Sequence, residues 1–452
     1  MSIKLLSAWI AAPIVLAAAL LITGSAPRAA TQLTVIFNTD QNGYLTPCGC
    51  AKPVTGGMPR RATYLKGLDA AIATVLVDNG NLTKGAHTPD AWGRQDALKL
   101  DAFIDMYNAL KYDAINLGPN EYKIGVPTLE TLKARFKGKM LSANARKSDG
   151  SPLFEEMAIV EREVQGKKVR IGITGVISDK HGLMISSQNP GVKVDPASDT
   201  IQRVMSDLSR NSDLQILLFQ GSQKEAEALG ESVIGAFTLV VFAEAGDYRP
   251  TEQKRVGNAL LVTNGNDGKY VGRSDLTHES AWKAPKADYV KLTDDFADEP
   301  TIRQIKDSYD ARVVAEDLLN QVPKSPTSDG STYVGNTVCG SCHSEALVIW
   351  RNTKHAVAMK TLIDDKADKD PECVACHVVG MDKLSGFKNM QETRMLKDVG
   401  CEACHGPGSK HVDDPLKVKP LRGDENTCAL SCHVPEHSPN FNWPKYWEQI
   451  KH

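Results

Sequence analysis

Cys339-Gly-Ser-Cys342-His343 is the first of four similar motifs in the last quarter of the chain. The two thiols of such a motif add to the vinyl groups of a porphyrin, and the adjoining imidazole becomes a ligand of the iron. One motif alone would also suit a redox dithiol or half of a zinc site, but four in succession predict four covalently attached haem c groups. The other motifs are Cys373-Val-Ala-Cys376-His377, Cys401-Glu-Ala-Cys404-His405 and the wider Cys428-Ala-Leu-Ser-Cys432-His433.

The same segment supplies enough histidines for a second axial ligand at every iron. Besides the proximal ligands His343, His377, His405 and His433, it contains four more. Four low-spin haems would need all of them. If one of them is an ordinary surface residue, the corresponding haem keeps an open iron that allows ligand chemistry. The predicted distal ligands are His355, His411, His437 and His452.

Three stretches of this segment resemble the multihaem cytochrome c-552/4 family. They are the run from Tyr333 to Cys339, the run from Trp350 to Met359, and Gly400-Cys-Glu-Ala-Cys-His-Gly-Pro-Gly-Ser-Lys-His411. The resemblance implies a haem array wrapped in short helices and loops, with electron transfer as the activity. It covers about the last quarter of the chain, and the three-residue spacer between Cys428 and Cys432 departs from it.

Charge and cysteine content exclude two protein classes. The chain has 53 Lys and Arg against 55 Asp and Glu, so a basic surface that drives nucleic-acid binding is absent. Of the ten cysteines only Cys48 and Cys50 lie outside the motifs, which excludes a disulfide framework. The length fits two or three domains.

Residues 1–30 have the pattern of an export segment. Lys4 precedes an apolar run from Leu5 to Ile22. Both a cleaved signal peptide and a retained anchor fit that length. Because haem c is attached on the far side of the membrane, we expect a periplasmic or extracytoplasmic protein, with anchoring to the inner membrane as the alternative.

Residues 31–282 alternate between apolar strands and helices, which is typical of an α/β domain. A helix is predicted from Trp92 to Leu110. The predicted strands include Leu33–Phe37, Ala71–Val77, Asp113–Leu117, Val169–Thr174, Leu214–Phe219, Phe237–Phe242 and Ala259–Thr263.

The order of motifs in this domain resembles the metallophosphatase domain of periplasmic 5′-nucleotidases and related thiosulfohydrolases. The matching stretches are Asn38–Gly43, Val77–Asn81, Leu117–Glu121, Leu141–Ala145 and Asn264–Gly272. Two hydrolytic metal ions need several carboxylates and imidazoles. The matching places instead offer Asp40, Asn42, Asn81, Pro119, Asn120, Phe219-Gln220-Gly221 and Ala243–Gly246.

We therefore predict that this domain lacks the dinuclear metal ligands. Binding of one weak oxygen-loving ion by Asp40, Asn81 and Asn120 remains the alternative. The three histidines outside the haem segment do not fall at the ligand positions and are predicted to be surface residues. They are His87, His181 and His278.

A Cys48-Gly-Cys50 pair lies shortly after the first predicted strand and is followed by Arg60 and Arg61. The stretch resembles a nucleotidase-like family in which a cysteine here is sometimes selenocysteine. Thiols beside guanidinium groups favour the thiolate, and paired arginines suit an oxyanion. A thiol redox site and a local disulfide or structural turn are both open interpretations.

Residues 283–332 are predicted to be a linker that contains a charged helix from Pro300 to about Val322, followed by a flexible tether from Pro323 to Ser331. The helix would either act as a spacer or pack on the haem domain. Residues 333–452 would form the tetrahaem domain, in which the macrocycles replace an apolar core. Trp443 to Trp447 would cover a porphyrin face.

These features together predict an exported electron carrier with a non-hydrolytic nucleotidase-like domain. Its partners would be other redox proteins or quinol-linked complexes, and its N-terminal segment would allow membrane association. The alternative is a periplasmic oxidoreductase that acts on a small nitrogen or sulfur compound at an open haem or at Cys48 and Cys50. A phosphoester or thiosulfate hydrolase is disfavoured by the missing ligands.

Overall fold

The computed structural model describes residues 33–47, 54–86, 88, 90–243, 249–434, 438 and 440–452. The predicted export segment 1–30 lies outside these ranges. Within them, no helix combines the length and the apolar character needed to cross a bilayer.

The described residues form strands and helices over most of their length. The strands are Leu33–Asn38 (β1), Ala73–Asp78 (β2), Ala114–Asn116 (β3), Lys139–Leu141 (β4), Ala145–Lys147 (β5), Met157–Val164 (β6), Lys167–Ile177 (β7), Val192–Val194 (β8), Leu214–Gln220 (β9), Leu239–Phe242 (β10), Lys254–Val256 (β11), Ala259–Val262 (β12), Tyr270–His278 (β13), Trp282–Lys283 (β14) and Ala287–Lys291 (β15). The helices are Met58–Lys66 (α1), Ala91–Leu110 (α2), Pro119–Ile124 (α3), Val126–Arg135 (α4), Asp179–Gln188 (α5), Ala197–Asn211 (α6), Gln223–Ala228 (α7), Glu231–Ile234 (α8), Pro300–Ala315 (α9), Asn336–Gly340 (α10), Ser344–Arg351 (α11), Ala358–Asp364 (α12), Pro371–Val374 (α13), Cys401–His405 (α14), Ser409–Asp413 (α15) and Trp443–Trp447 (α16).

Two mixed sheets form the N-terminal region. The first has the order β14-β13-β1-β2-β3-β4, with β15 also paired to β13, and β1 to β4 are mutually parallel. The second has the order β11-β12-β10-β9-β7-β6, with antiparallel strands at both edges. In the first sheet Phe37 pairs with Val77, and Asn38 with Asp78. The carboxyl ends of β1, β2 and β3 therefore meet at one edge.

The two sheets pack face to face because alternate residues of both are apolar on the facing sides. Val35 and Val77 from the first sheet share a fully buried cluster with Ile173, Ile216 and Val241 from the second. Each such side chain contributes roughly 1.5–3 kcal/mol when buried. Helices cover the outer faces, α2 on the first sheet and α6 on the second. The predicted α/β class of this region is confirmed.

Helix α2 is the longest helix among the described residues, and its ends follow from the sequence. Asp90 caps its start by accepting hydrogen bonds from the backbone amides of Trp92 (2.9 Å) and Gly93 (3.5 Å). Lys111 ends it in the left-handed conformation, at φ 61°. The buried face is mainly apolar, with Phe103 and Met106 fully buried.

Residues 283–332, predicted to be a linker, pack against both flanking regions. β15 is hydrogen-bonded to β13 within the first sheet. Helix α9 is present as predicted, but it ends at Ala315, and its residues Ile302, Tyr309 and Val313 are buried in the same core as α2. The expected flexible tether is also bound, since the Ser325 amide donates to the carbonyl of Asp382 over 2.8 Å. Sequence periodicity identified the helix but not what it packs against.

The C-terminal region consists of short helices joined by turns, as predicted. Helices α10 to α16 have four to eight residues each. Their apolar residues join the core of the N-terminal region instead of forming a separate one, with Met359, Val374 and Phe387 almost fully buried there.

Candidate functional site

The motif around Cys401 is held together by one buried carboxylate. Glu402 is 4% exposed. Its side chain accepts hydrogen bonds from the backbone amides of Val334 (3.0 Å), Gly335 (2.7 Å) and Gly408 (2.7 Å). Gly335 and Gly406 have φ of 85° and 73°, which favours glycine. This network explains why a glutamate lies between the two thiols and why a Gly-Pro-Gly turn follows them.

Three pairs of imidazoles lie at the spacing that one metal ion between them requires. An imidazole nitrogen binds a metal at about 2.0–2.1 Å, and the ring centre lies about 1 Å beyond it, so two rings on opposite sides of an ion have centres about 6 Å apart. The ring centres of His343 and His411 are 6.1 Å apart. The remaining pairs are His355 with His433 at 6.2 Å and His405 with His452 at 5.7 Å.

Hydrogen bonds orient these imidazoles for metal binding. A backbone carbonyl only accepts, so a ring nitrogen that contacts one must carry the proton and leave the other nitrogen free as a ligand. Four rings use Nδ1 in this way, towards the carbonyl oxygens of Ala358, Leu421, Val418 and Ile450. They are His377 (2.7 Å), His405 (2.8 Å), His411 (2.7 Å) and His452 (3.0 Å).

The structure thus brings together six of the eight histidines predicted as iron ligands. The seventh, His377, has the orientation just described. The eighth, His437, lies outside the described residues, and so its role as a distal ligand stays a prediction. The residues present fit haem c with two axial imidazoles at three places.

The attachment motifs are neighbours in a defined order. The thiol of Cys339 lies beside that of Cys401. Cys404 likewise contacts Cys428, and Cys376 contacts Cys432. In space, the motif that begins at Cys339 is therefore followed by the motifs that begin at Cys401, Cys428 and Cys373. The remaining thiols of the first and last motifs in this series are Cys342 and Cys373. The motif at Cys373 lies at one end of this series.

The aromatic residues after the last motif stack beside its histidine. Phe441 stacks on His433 with ring centres 4.4 Å apart, and on Tyr446 at 5.5 Å. Trp443 stacks on Trp447 at 5.0 Å. Whether the tryptophans cover a porphyrin stays a prediction.

At the carboxyl edge of the first sheet, the residues that the sequence places at the expected ligand positions bind one another. Asn81 Nδ2 donates to Asp40 Oδ1 (2.8 Å) and to Gln220 Oε1 (3.2 Å), and Asn81 Oδ1 accepts from the amide of Asn120 (3.1 Å). Asp40, Asn42 and Asn81 all have φ near +50°. Among the described residues no group of three or more His, Cys, Asp or Glu side chains is placed to hold a metal ion.

The carboxyl groups at this edge are held in a low-dielectric environment. Burial raises the pKa of Asp40 to about 7, although hydrogen bonds from Asn81 and Thr39 oppose the rise. Burial also raises the pKa of Asp78 to about 6 and that of Glu121 to about 7. Glu121 accepts hydrogen bonds from three backbone amides, including that of Leu82 at 2.6 Å.

The two arginines proposed to bind an oxyanion already have partners within the domain. Arg61 is 1% exposed and donates to Gln41 Oε1 (2.5 Å) and Tyr112 Oη (3.4 Å). Arg60 donates to the carbonyl of Val54 (2.7 Å). Cys48 and Cys50 lie outside the described residues, and the thiol site stays a prediction.

The histidines outside the haem segment occupy different positions. His181 is half-buried, with Nδ1 3.3 Å from the carbonyl oxygen of Gln220. His278 is exposed on β13, its ring centre 5.2 Å from that of Trp282. His87 lies outside the described residues.

A polar junction that the sequence did not reveal joins α2 to the motif at Cys373. Lys99 Nζ lies 2.7 Å from Glu372 Oε2, and Gln95 Nε2 donates to Asp370 Oδ1 over 2.6 Å. Burial raises the pKa of Glu372, but the ammonium groups of Lys99 and Lys84 outweigh it and hold that pKa at about 2. The only signal in the sequence is the spacing of Gln95 and Lys99, which places both on one face of the helix.

Comparisons with known proteins agree with both resemblances. The family described as cytochrome c554 and c-prime matches residues 338–406. Cytochrome c-554 of Nitrosomonas europaea is 32% identical over 120 residues, which are 23% of this chain and 51% of that protein. The trifunctional nucleotide phosphoesterase YfkN of Bacillus subtilis is 26% identical over 254 residues, or 46% of this chain and 17% of that protein.

The fold of the N-terminal region is shared with a solved nucleotidase. The 5′-nucleotidase precursor of Thermus thermophilus superimposes with a TM-score of 0.53 at 22% identity, covering 63% of this chain and 59% of the other. The chain thus spans from about a sixth to about half of the length of the curated relatives named above. It joins an N-terminal region with the fold of 5′-nucleotidases to a C-terminal region that is similar to cytochrome c-554.

Proposed function

We propose that the protein is an exported electron-transfer protein that carries four haem c groups. The observation that carries this proposal is the spacing of the three imidazole pairs, 5.7–6.2 Å between ring centres, beside motifs that can each attach a porphyrin. Haem c, when bound, supplies a one-electron couple whose potential depends on its ligands and burial. The chain orients the ligand nitrogens and places the attachment motifs in one contiguous series.

We propose further that the nucleotidase-like region does not hydrolyse phosphoesters. The hydrogen bonds from Asn81 to Asp40 and Gln220 support this, because the side chains that would clamp two ions in a hydrolase bind each other instead. The region would act as a docking scaffold for other redox proteins or quinol-linked complexes.

An electron paramagnetic resonance spectrum of the oxidised, haem-loaded protein tests the carrier function. Low-spin signals that ignore nitrite, hydroxylamine and sulfite are expected, with a haem-to-protein ratio of about four. A high-spin signal that shifts on addition of one of these compounds would instead favour an oxidoreductase that acts on that compound. Replacing Cys48 and Cys50 by Ser should leave the haem titration unchanged in a carrier.

A further inference from the structure

Asp370 and Glu372 lie in the turn that leads into Cys373. Among the described residues, polar side chains of the nucleotidase-like region hydrogen-bond to the cytochrome region at this turn. Hydrogen bonds from Lys84, Gln95 and Lys99 all end on Asp370 or Glu372. Tyr309 of α9 adds a contact from its hydroxyl to Asp370 Oδ2 at 3.5 Å. Helix α2 of the N-terminal region and helix α9, which follows that region, thus both contact this one turn.

Lys99 lies at the centre of this junction and is almost entirely buried. Its side chain is 7% exposed, and that of Glu372 is 24% exposed. The end of the Lys99 side chain also lies close to Gly43, in the loop that follows β1. Lys99 therefore lies between the carboxyl edge of the first sheet and the residue that precedes Cys373.

A buried charge acts on a neighbouring redox centre more strongly than an exposed one. Water screens exposed charges, whereas Coulomb interactions in the low-dielectric interior persist over longer distances. The charges around this turn are of both signs. Lys84, Lys99 and Lys306 are the cations that act on it, and Asp96, Asp370, Glu372 and Asp310 are the anions. Removing one of these charged groups therefore changes the net charge around the turn.

We propose that Lys99 is a positioning residue that sets the reduction potential of the haem attached at Cys373 and Cys376, and that this haem is where the electron-transfer series meets the nucleotidase-like region. The proposal rests on the proposed function, because it needs the haems to be present. The Lys99–Glu372 pair fixes the turn that bears Cys373. Within this pair it is the Lys99 ammonium, whose charge acts on the Cys373 thiol from the side of α2, that would place a positive charge near the haem. Reduction adds an electron to the iron, so a nearby cation favours the reduced form.

A spectroelectrochemical titration of the full-length, haem-loaded protein tests this inference. Lys99→Met should lower the midpoint of one haem and leave the other three in place. We expect a change of about tenfold in the reduction equilibrium constant, or about 59 mV for a one-electron couple. Glu372→Gln should raise the same midpoint, because it removes the negative partner. The double variant should return near the wild-type value.

The chain offers a matched control in Lys360→Met. Lys360 also pairs with a carboxylate, Asp364, at 2.6 Å, and belongs to α12, whose first carbonyl accepts from His377. Its side chain is 68% exposed, so its removal should leave all four midpoints unchanged. Lys99→Arg keeps the charge and should retain the wild-type midpoint.

The outcomes separate this inference from the proposed function. If the wild-type protein carries no haem or shows no redox titration, the proposed function fails. If it titrates normally while Lys99→Met and Glu372→Gln shift no midpoint, or both shift it in the same direction, the inference is overturned and the function stands. Opposite shifts of a single midpoint support the inference, since a purely structural disturbance has no reason to follow the sign of the charge.

Discussion

Asn81 donates a 2.8 Å hydrogen bond from Nδ2 to Oδ1 of Asp40, and the two residues lie at the ends of neighbouring parallel strands. An amide can donate to a carboxyl oxygen, whereas a second carboxylate in its place would need a cation or a proton between the two groups. The asparagine at this position therefore joins the two side chains by a hydrogen bond that needs neither a cation nor an added proton.

Asn81→Asp should destabilise the nucleotidase-like region. The substitution removes the donor to Asp40 and places two buried acids in contact, at an expected cost of about 1–3 kcal/mol. Urea unfolding followed by tryptophan fluorescence measures the loss. Millimolar Mn²⁺ should recover part of it in the variant and none in the wild type. Asn211→Asp, an exposed change at the end of α6, is the control. Equal effects of both variants would contradict this explanation.

The buried acids at the same edge predict a pH dependence of stability. The pKa values of Asp40 (about 7), Asp78 (about 6) and Glu121 (about 7) lie above their ordinary values of 3.8, 3.8 and 4.5. The folded state then binds more protons than the unfolded state between those limits. The contribution of these three groups to the free energy of unfolding is fully present below about pH 4 and is lost as the pH rises towards about 7.

Unfolding curves between about pH 4.5 and about pH 8, which span roughly the ordinary and the raised pKa values of these acids, check this expectation. Asp40→Asn keeps an acceptor for Asn81 and removes one titrating group, so the decline of the unfolding free energy with pH should become shallower. Asp149→Asn, on an exposed turn, provides the comparison. A profile of unchanged slope in Asp40→Asn would show that this carboxyl group does not titrate in that range.

Glu402→Ala should disrupt the third attachment motif although it leaves both thiols and the imidazole in place. Three backbone amides would lose their acceptor, and each buried unsatisfied group costs about 1–3 kcal/mol. We expect a lower thermal midpoint and a lower haem-to-protein ratio, measured by differential scanning fluorimetry and by the pyridine haemochrome spectrum. Glu345→Ala removes an exposed glutamate just after the first motif and should change neither quantity.

The sequence predicted the elements of this protein better than their contacts. β1, β9 and α2 were each located within one residue at either end, because hydrophobic runs and helical periodicity are local properties. The four attachment motifs were equally visible. The histidines of this segment can be read from the sequence too, but not which two of them face each other, since that depends on how the chain returns over tens of residues.

The junction at Lys99 shows why contacts between distant parts of the chain could not be predicted from the sequence. Its partner Glu372 lies 273 residues further along the chain. The sequence does not distinguish a buried lysine in an ion pair from an exposed lysine, and most lysines are exposed. The strand β15 escaped prediction for a related reason, because Ala287–Lys291 has a mixed sequence and becomes a strand by pairing with β13.

His411→Ala should convert one low-spin haem of the proposed carrier to a high-spin one. The ring of His411 faces that of His343 at 6.1 Å, and its Nδ1 bond to Val418 leaves the opposite nitrogen free. Removing this ring vacates one side of the first attachment site, while the proposed thioether bonds at Cys339 and Cys342 would keep the porphyrin in place. The haem-to-protein ratio should therefore stay constant, and a high-spin ferric signal should appear in the electron paramagnetic resonance spectrum. His278→Ala removes an exposed imidazole on β13 and should leave the spectrum unchanged. A purely low-spin spectrum in His411→Ala would mean that another residue binds the iron opposite His343.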